Sequence, residues 1–337
     1  MKVDATLERR IEANKQEAAE LEAAGYDGIW AGETRHDPFL RLLQVAEATE
    51  RVALGTSIAI AFGRTPLTLA HLGFDLAQYS EGRFVLGLGS QVKPHIERRF
   101  SMPWSRPAAR MREFVLALRA IWRSWQDGER LDFQGDFYTH TLMTPFFSPA
   151  AHAFGPPPVY LAGVGSRMTE VAGEVCDGFL VHPFTTRRYV DEVTLPALER
   201  GRRKGARDGL DDFVVSGRAF VAIGRNDEEL ADAVRGTKKQ IAFYASTPAY
   251  RAVLELHGRA ELQPELTRMS KRGQWAEMAD LIDDELLGLM AVVGEPETVG
   301  RQVASRWGDV YDRVSLYVNH KIDPATLVAT IEALRGA

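Results

Sequence analysis

The sequence predicts an α/β fold, a (β/α)8 TIM barrel with insertions after strands four and seven. Short β-rich apolar runs alternate with longer amphipathic stretches, eight such runs can be counted, and no Pro/Ser/Gly-rich linker divides the chain. An open doubly wound sheet usually has about five to seven strands, so eight favour a barrel. We therefore predict a single domain over residues 1–337, with insertions at about 91–155 and 244–292.

The eight predicted strands share a short run of β-branched and other apolar residues, bounded by Gly, Pro or Asp. In chain order they are KVDAT (2–6), DGIWAG (27–32), VALGTSIAIAFG (52–63), RFVLGLG (83–89), PVYLAG (158–163), DGFLVHPF (177–184), FVVSGRAFVAIG (213–224) and DRVSLYV (312–318). The fourth is a continuous apolar run, as expected of a parallel strand buried on both faces.

The stretches between these strands predict helices. Residues 7–24 carry apolar side chains at helical spacing and end at Gly25, a suitable residue just beyond a helix. The next two helices, 38–50 and 66–79, each begin with proline, whose missing N–H costs nothing in the first turn. Further helices are predicted at 106–125, 167–176, 187–204 and 324–334, with a long, mainly helical region at 227–308. The aromatic stretch LDFQGDFYTHTLMTPFFSP (131–149) predicts a β-hairpin.

Composition and charge exclude several classes of function. The formal net charge is -5 and the isoelectric point is near 6.0, so nucleic acid and anionic membrane are not predicted as partners. The amino terminus, MKVDATLERR, has no apolar leader, and we predict a cytoplasmic, soluble protein. The single cysteine, Cys176, lies among apolar residues and is expected to be a buried core residue and not a nucleophile.

The eight histidines form no motif typical of a metal site or a hydrolase. The chain contains no HExxH, no GxSxG elbow and no GxxxxGK[ST] loop. No metal is therefore predicted, and neither a hydrolase triad nor a nucleotide triphosphatase is supported.

Two glycine-rich segments follow neighbouring predicted strands. Gly-Leu-Gly-Ser (87–90) ends the fourth strand, and Gly-Val-Gly-Ser (163–166) ends the fifth, immediately before a helix. Glycine lets a ligand approach the backbone, and N–H groups at a helix start, here with Arg167, suit a phosphate. Neither segment has the third glycine of the dinucleotide-binding GxGxxG motif. One such segment alone would more often be a tight turn, but two on adjacent strands favour a ligand site.

Polar residues also lie at the strand ends that form the functional face of a barrel. Glu33 and His36 follow the second strand, and His182 closes the sixth. A lone histidine is more often a packed residue, although this position favours function. The basic stretch around Lys93, Arg98 and Arg99 is either a solvated face or a binding surface for an anionic cofactor tail.

Four segments resemble the bacterial-luciferase-like superfamily of flavin and deazaflavin oxidoreductases. They are LGTSIAIAFGRTPLTLA (54–70), EGRFVLGLGSQ (81–91), PVYLAGVGSRMTEVAGEVCDGF (158–179) and VGEPETVGRQV (293–303). The run GLGSQVKPHIERRF resembles a mycobacterial-type branch assigned to the deazaflavin coenzyme F420. The resemblance implies a (β/α)8 barrel and a non-proline cis peptide between Ser57 and Ile58, behind the cofactor ring.

The resemblance also implies which residues bind the cofactor. They are Ser57 and Ile58 for the ring and Gly165, Ser166, Arg167 and Met168 for the phosphate; the two glycine-rich segments add Gly89, Ser90, Gly163 and Val164 as predicted cofactor-binding residues. The chain departs from the sugar-phosphate dehydrogenases of the superfamily, because Thr34 and Val92 stand where those enzymes have an acting His and Glu. The resemblance therefore does not predict that substrate chemistry for this chain.

The leading hypothesis is an oxidoreductase that transfers a hydride between coenzyme F420 and a small organic substrate. Glu33 or His36 is predicted to carry the proton, and His182 is the next candidate. Residues 137–147 and 244–286 are expected to form the walls of the substrate site. One alternative is an FMN-dependent luciferase-like monooxygenase supplied with reduced flavin by a partner reductase. Another is a non-catalytic flavin-binding protein. The resemblance also implies a homodimer.

Overall fold

The computed structural model describes all 337 residues, and their contacts divide the chain into two compact units. The amino-terminal unit comprises Asp4–Leu180 and Ala197–Val214. The carboxy-terminal unit comprises Met1–Val3, Val181–Pro196 and Val215–Ala337. The strands are β1 (Lys2–Thr6), β2 (Gly28–Ala31), β3 (Ala53–Thr56), β4 (Ala59–Ile60), β5 (Phe84–Gly89), β6 (Phe133–Gln134), β7 (Thr139–His140), β8 (Val159–Gly163), β9 (Gly178–Val181), β10 (Val214–Ile223), β11 (Ala291–Gly294) and β12 (Arg313–Val318).

Fourteen α-helices lie between and after these strands. They are α1 (Asn14–Ala23), α2 (Pro38–Ala48), α3 (Pro66–Tyr79), α4 (Lys93–Arg98), α5 (Pro107–Gln126), α6 (Ser166–Val175), α7 (Arg187–Tyr189), α8 (Leu195–Lys204), α9 (Asp227–Ala245), α10 (Arg251–Glu255), α11 (Leu262–Lys271), α12 (Asp284–Met290), α13 (Pro296–Trp307) and α14 (Pro324–Arg335). A π-helical segment, Val190–Thr194, joins α7 to α8.

The fold class is the predicted (β/α)8 barrel. All eight predicted strands are present, as β1, β2, β3, β5, β8, β9, β10 and β12. In the amino-terminal unit the strand order is β1-β2-β3-β5-β8-β9, and each pair with a described register is parallel. In the carboxy-terminal unit β10 pairs in parallel with both β11 and β12. Parallel neighbours require the helical crossovers that the alternating sequence predicts.

Three predicted elements differ from the structure. The helix predicted at 7–24 spans only Asn14–Ala23, after a 3-10 turn at Ile11–Ala13. Predicted strand three is divided into β3 and β4, and β4 pairs with β5. Strand β11 lies inside the region predicted to be mainly helical. Its sequence, AVVG, is a short apolar run, which periodicity alone does not distinguish from a buried helical turn. The single-domain prediction and the insertion boundaries stay predictions.

The predicted hairpin is present and is anchored to α5. Strands β6 and β7 pair antiparallel, with Phe133 opposite His140. The carboxylate of Glu113 on α5 accepts hydrogen bonds from the backbone N–H groups of residues 136, 137 and 138, at 2.8, 2.6 and 2.6 Å. One side chain of a long helix therefore fixes the tip of the hairpin.

Side-chain caps set where α2 and α3 begin. The Asp37 side chain accepts a hydrogen bond from the Phe39 N–H at 2.8 Å, and the Thr65 hydroxyl accepts one from the Thr68 N–H at 3.2 Å. Proline follows each cap, as the sequence predicts. These caps fix the loops that leave β2 and β4. No helix in the structure combines the length and the apolar character that a membrane span needs.

Candidate functional site

A bulge between β3 and β4 lies at the centre of the candidate site. The peptide bond between Ser57 and Ile58 is cis, as the resemblance predicts. The Ser57 N–H donates to the carbonyl of Ala31 at 2.9 Å, and the Glu33 N–H donates to the carbonyl of Ile58 at 3.2 Å. The bulge is therefore tied on both sides to the end of β2.

The glycines of β5 are required by this bulge. A Cβ atom on Gly89 would lie 2.8 Å from the Ile58 side chain, and one on Gly87 would overlap the carbonyl of Thr56. The Thr56 hydroxyl also donates to the Gly87 carbonyl at 2.6 Å. The predicted site residues Ser57, Ile58 and Gly89 are thus brought together, and the first Gly-Leu-Gly segment permits close approach between neighbouring strands.

Glu33 is held in a network of charged groups beside the bulge. Its carboxylate accepts from the Ile60 N–H at 2.8 Å and from Arg64 Nη1 at 2.6 Å, and Arg64 Nη2 donates to Asp37 at 2.7 Å. The Glu33 and Arg64 side chains are only 8% and 14% exposed. Burial acts to lower the pKa of Arg64, but hydrogen bonds and charge attraction from the two carboxylates raise it overall, so Arg64 stays cationic. Sequence reasoning missed Arg64, which lies 31 residues from Glu33.

His36 and the predicted basic surface are arranged differently. His36 is exposed, and its ring takes part in no described hydrogen bond. Arg99 Nη2 donates to the Thr34 carbonyl at 2.8 Å, and Lys93 lies 3.8 Å from Glu97. Arg98 is exposed. The structure therefore places His36 away from the contacts of the bulge and gives two of the three basic residues partners within the chain.

The second glycine-rich segment forms one wall of a cleft. Gly165 is the residue before α6, no side chain caps that helix, and a Cβ at Gly165 would meet nothing within 4 Å. The cleft has a volume of about 710 Å³ and is lined by Arg106, Pro107, Ala108, Ala109, Gly165, Ser166, Arg167 and Met168. Open helical N–H groups and two arginines, of which Arg106 also pairs with Asp136 at 3.2 Å, make this cleft suitable for a phosphate.

Sequence reasoning missed one cation of the cleft, and one of the predicted glycines also has a packing role. Arg106 immediately precedes α5 and has a left-handed backbone, φ 33°; the signal was an Arg-Pro pair at a helix start. Gly163 is needed for packing, because a Cβ there would lie 2.9 Å from Met168. The Ser90 hydroxyl donates to the carbonyl of Gln91 at 3.1 Å. Ser90 is not among the residues that line the cleft.

His182, at the end of predicted strand six, lies in the carboxy-terminal unit. Its Nδ1 accepts from the Phe184 N–H at 3.1 Å, and its Nε2 lies 3.1 Å from the Tyr250 hydroxyl. Burial, together with the charge of Arg218, lowers the pKa of His182 to about 3. A neutral imidazole that accepts at Nδ1 carries its proton at Nε2, so Nε2 donates to Tyr250.

Comparison with known proteins decides the family. The model of the luciferase-like monooxygenase family matches residues 2–312. The protein belongs to this family. Within it, the chain is 53% identical to the uncharacterized Mycobacterium tuberculosis protein Rv1360 over 314 residues, which cover 93% of this chain and 92% of the relative. It is 29% identical to the putative coenzyme F420-dependent oxidoreductase Rv3520c of the same organism, over 85% of each chain.

The family fold is also seen in a solved structure. The coenzyme F420-dependent tetrahydromethanopterin reductase of Methanopyrus kandleri superposes with a TM-score of 0.78, covering 98% of this chain and 97% of the reductase. The two sequences are 20% identical, so this likeness shows the fold alone.

Proposed function

We propose that the protein is an F420-dependent oxidoreductase that transfers a hydride between the deazaflavin and a small organic substrate. The observation that carries the proposal is the packing of the bulge at Ser57 and Ile58 against Gly89, where the resemblance implies the cradle of a flavin-type ring. The relative Rv3520c, named as F420-dependent and similar over 85% of the chain, favours F420 over FMN.

The residues present fit such a cofactor. A phosphate would be held by the first N–H groups of α6 together with Arg106 and Arg167, because the helix start is uncapped and no side chain fills the space at Gly165. The ring would lie at the bulge and Gly89. When bound, F420 supplies the carbon that accepts or donates the hydride.

The protein's own groups would position the reaction and handle the proton. Glu33 is held by Ile60 and Arg64, so we assign it the role of fixing the bulge, although it was predicted to carry a proton. His182 is neutral at pH 7 because burial lowers its pKa, and it stays a predicted proton-handling residue. His36 also stays a prediction; its exposed ring has no partner that would orient it.

The second candidate is an FMN-dependent monooxygenase supplied by a partner reductase. The family description, luciferase-like monooxygenase, favours it, and the same cleft suits the single phosphate of FMN. A non-catalytic flavin-binding protein is the third candidate and would bind a cofactor without turnover.

A binding titration tests these candidates. Purified protein is titrated with oxidised F420 and separately with FMN, following cofactor fluorescence; F420 is expected to bind at least about tenfold more tightly. Preference for FMN would support the monooxygenase, and binding of neither would refute a cofactor site. Arg106→Met should weaken binding about tenfold, whereas Arg123→Met, which removes an exposed cation paired with Glu129, should not.

The basic surface provides a second discrimination. Charge reversal at Lys93, Arg98 and Arg99 is expected to weaken F420, whose tail is polyanionic, and to spare FMN. Equal loss of both cofactors would count against an F420 tail site there.

A homodimer is a further proposal. Three large apolar side chains on α2 and α3 are solvent exposed: Leu40 at 61%, Leu43 at 38% and Tyr79 at 53%. Sedimentation of the native protein and of Leu40→Asp tests it; a wild-type monomer at micromolar concentration would overturn it. The cytoplasmic location stays a prediction.

A further inference from the structure

An arginine in the carboxy-terminal unit has no carboxylate partner for its charge. Arg218 lies on β10, no carboxylate lies within ion-pair distance of it, and its Nε is buried without a hydrogen-bond acceptor. A Cβ on the preceding Gly217 would overlap the Tyr311 ring, so residue 217 faces Tyr311 and residue 218 faces the opposite side. A partly buried, uncompensated cation is unfavourable in the folded protein unless something else completes its coordination.

One aromatic ring lies against this cation, and two further rings pack next to that ring. The Arg218 guanidinium lies 4.1 Å from the centroid of the Tyr317 ring, and Tyr317 is the register partner of Phe220, with ring centroids 5.0 Å apart. The centroids of the Tyr244 and Phe220 rings are 6.2 Å apart. Attraction to one aromatic ring offsets only part of the cost of removing a cation from water. The Tyr317 ring provides a flat apolar face beside the charge, and Phe220 and Tyr244 extend the aromatic cluster.

The neighbouring polar groups are donors. The hydroxyls of Tyr244 and Tyr317 are 2.9 Å apart, and since one donates to the other, one O–H is left to donate elsewhere. The Tyr250 hydroxyl accepts from His182, so its own proton is also available. Burial raises the pKa of Tyr244 well above its usual range and that of Tyr250 to about 12, so both stay protonated at neutral pH.

We propose that Arg218, Tyr317, Tyr244 and Tyr250 form a binding site for the carboxylate of a small planar organic acid. The guanidinium fork matches the two oxygens of a carboxylate, the free hydroxyl protons supply further donors, and the rings pack against the planar body of the acid. The cluster contains a cation and donors without any acidic side chain, which is the electrostatic complement of an anion. This inference concerns the carboxy-terminal unit and does not depend on the identity of the cofactor.

The test uses benzoate and its neutral analogue benzamide, titrated calorimetrically into the full-length protein. Benzoate is expected to bind at least tenfold more tightly than benzamide. Arg218→Met should weaken benzoate at least tenfold and leave benzamide unchanged, and Arg218→Lys, which keeps the charge without the fork, should weaken benzoate at least threefold. The matched control is Arg251→Met, which removes an exposed cation of the same unit that already has Glu255 as its partner.

Three results would overturn the proposal: equal binding of the two probes, no binding of benzoate to the wild type, or unchanged benzoate binding in both Arg218 variants. A lowered melting temperature of Arg218→Met with wild-type benzoate affinity would show that Arg218 has only a structural role. F420 titrations of the same samples separate the two proposals. Benzoate binding without F420 affinity refutes the proposed cofactor alone, and F420 affinity without benzoate binding refutes the carboxylate site alone.

Discussion

Arg64 Nη1 lies 2.6 Å from Glu33 Oε2, and through this ion pair the loop after β4 is held to the end of β2. The second nitrogen of the same guanidinium holds Asp37, the cap of α2. One arginine thus fixes the start of a helix and a carboxylate that also binds the backbone after the cis bulge. The pair is largely buried, so its loss should be costly.

Glu33→Gln is expected to lower the free energy of unfolding by about 3 kcal/mol, because it leaves a buried guanidinium with one of its two carboxylates. Urea denaturation measures the change. The control is Glu192→Gln, which breaks the exposed pair with Arg188 and should cost less than about 1 kcal/mol. Equal losses in the two variants would show that the Glu33 pair contributes no more than a surface pair.

Gly89→Ala is expected to destabilise the protein by about 1–3 kcal/mol and to weaken cofactor binding, because the new Cβ would lie 2.8 Å from two carbons of Ile58. Gly288→Ala is the matched control: it lies in α12, a Cβ there meets nothing within 4 Å, and it should stabilise by about 0.5–1 kcal/mol. Thermal unfolding and cofactor titration of both variants check this, and a neutral Gly89→Ala would contradict close packing at the bulge.

His182 should make stability depend on pH. Burial and Arg218 lower its native pKa to about 3 from 6.5, so between these values the unfolded chain takes up a proton that the native protein does not. Stability is therefore retained above pH 6.5 and falls as the pH decreases towards 3, by at most about 1.4 kcal/mol per pH unit. The measurement is urea unfolding at pH 7, 5.5 and 4.5.

Comparison with variants isolates the contribution of His182, since burial also lowers the pKa values of half-buried histidines such as His140 and His320. His182→Gln should reduce the fall of the unfolding free energy with decreasing pH by the contribution of this histidine. His36→Gln, at an exposed position, should leave that pH dependence as in the wild type. An identical slope in wild type and His182→Gln would contradict the lowered pKa.

Cys176 should be unreactive in the native protein. The side chain is fully buried, as the sequence predicts, and burial raises the pKa of its thiol. Ellman's reagent is expected to titrate no thiol in buffer and one thiol per chain in urea. Rapid modification of the native protein would mean that the residue is accessible.

Much of the fold follows from local pattern. The eight strands and the proline-started helices were predictable because hydrophobic period and capping residues act over a few positions. The cis bond at Ser57–Ile58 was predicted only through the family resemblance. Strand β11 was missed because four apolar residues have no diagnostic period.

The site was less predictable, because it depends on contacts between distant segments. Glu33 and its strand-end position were visible in the sequence, but the partner that fixes its carboxylate, Arg64, becomes adjacent only when β2 and β4 meet. Arg106 likewise reaches the cleft because α5 begins beside α6, which no local pattern indicates. Tyr250, which accepts from His182 across 68 positions, is a third example.

The anchoring of the hairpin by Glu113 has an evolutionary consequence. Its carboxylate binds three consecutive backbone amides, and these exist whatever side chains follow. The anchor itself therefore does not depend on the side chains of residues 136 to 138, except that proline has no amide hydrogen. The Tyr138 side chain is held separately, because its hydroxyl accepts from Arg110 Nε at 2.8 Å. Substitutions of the Phe137 side chain can thus change the surface that the tip presents without removing the backbone anchor.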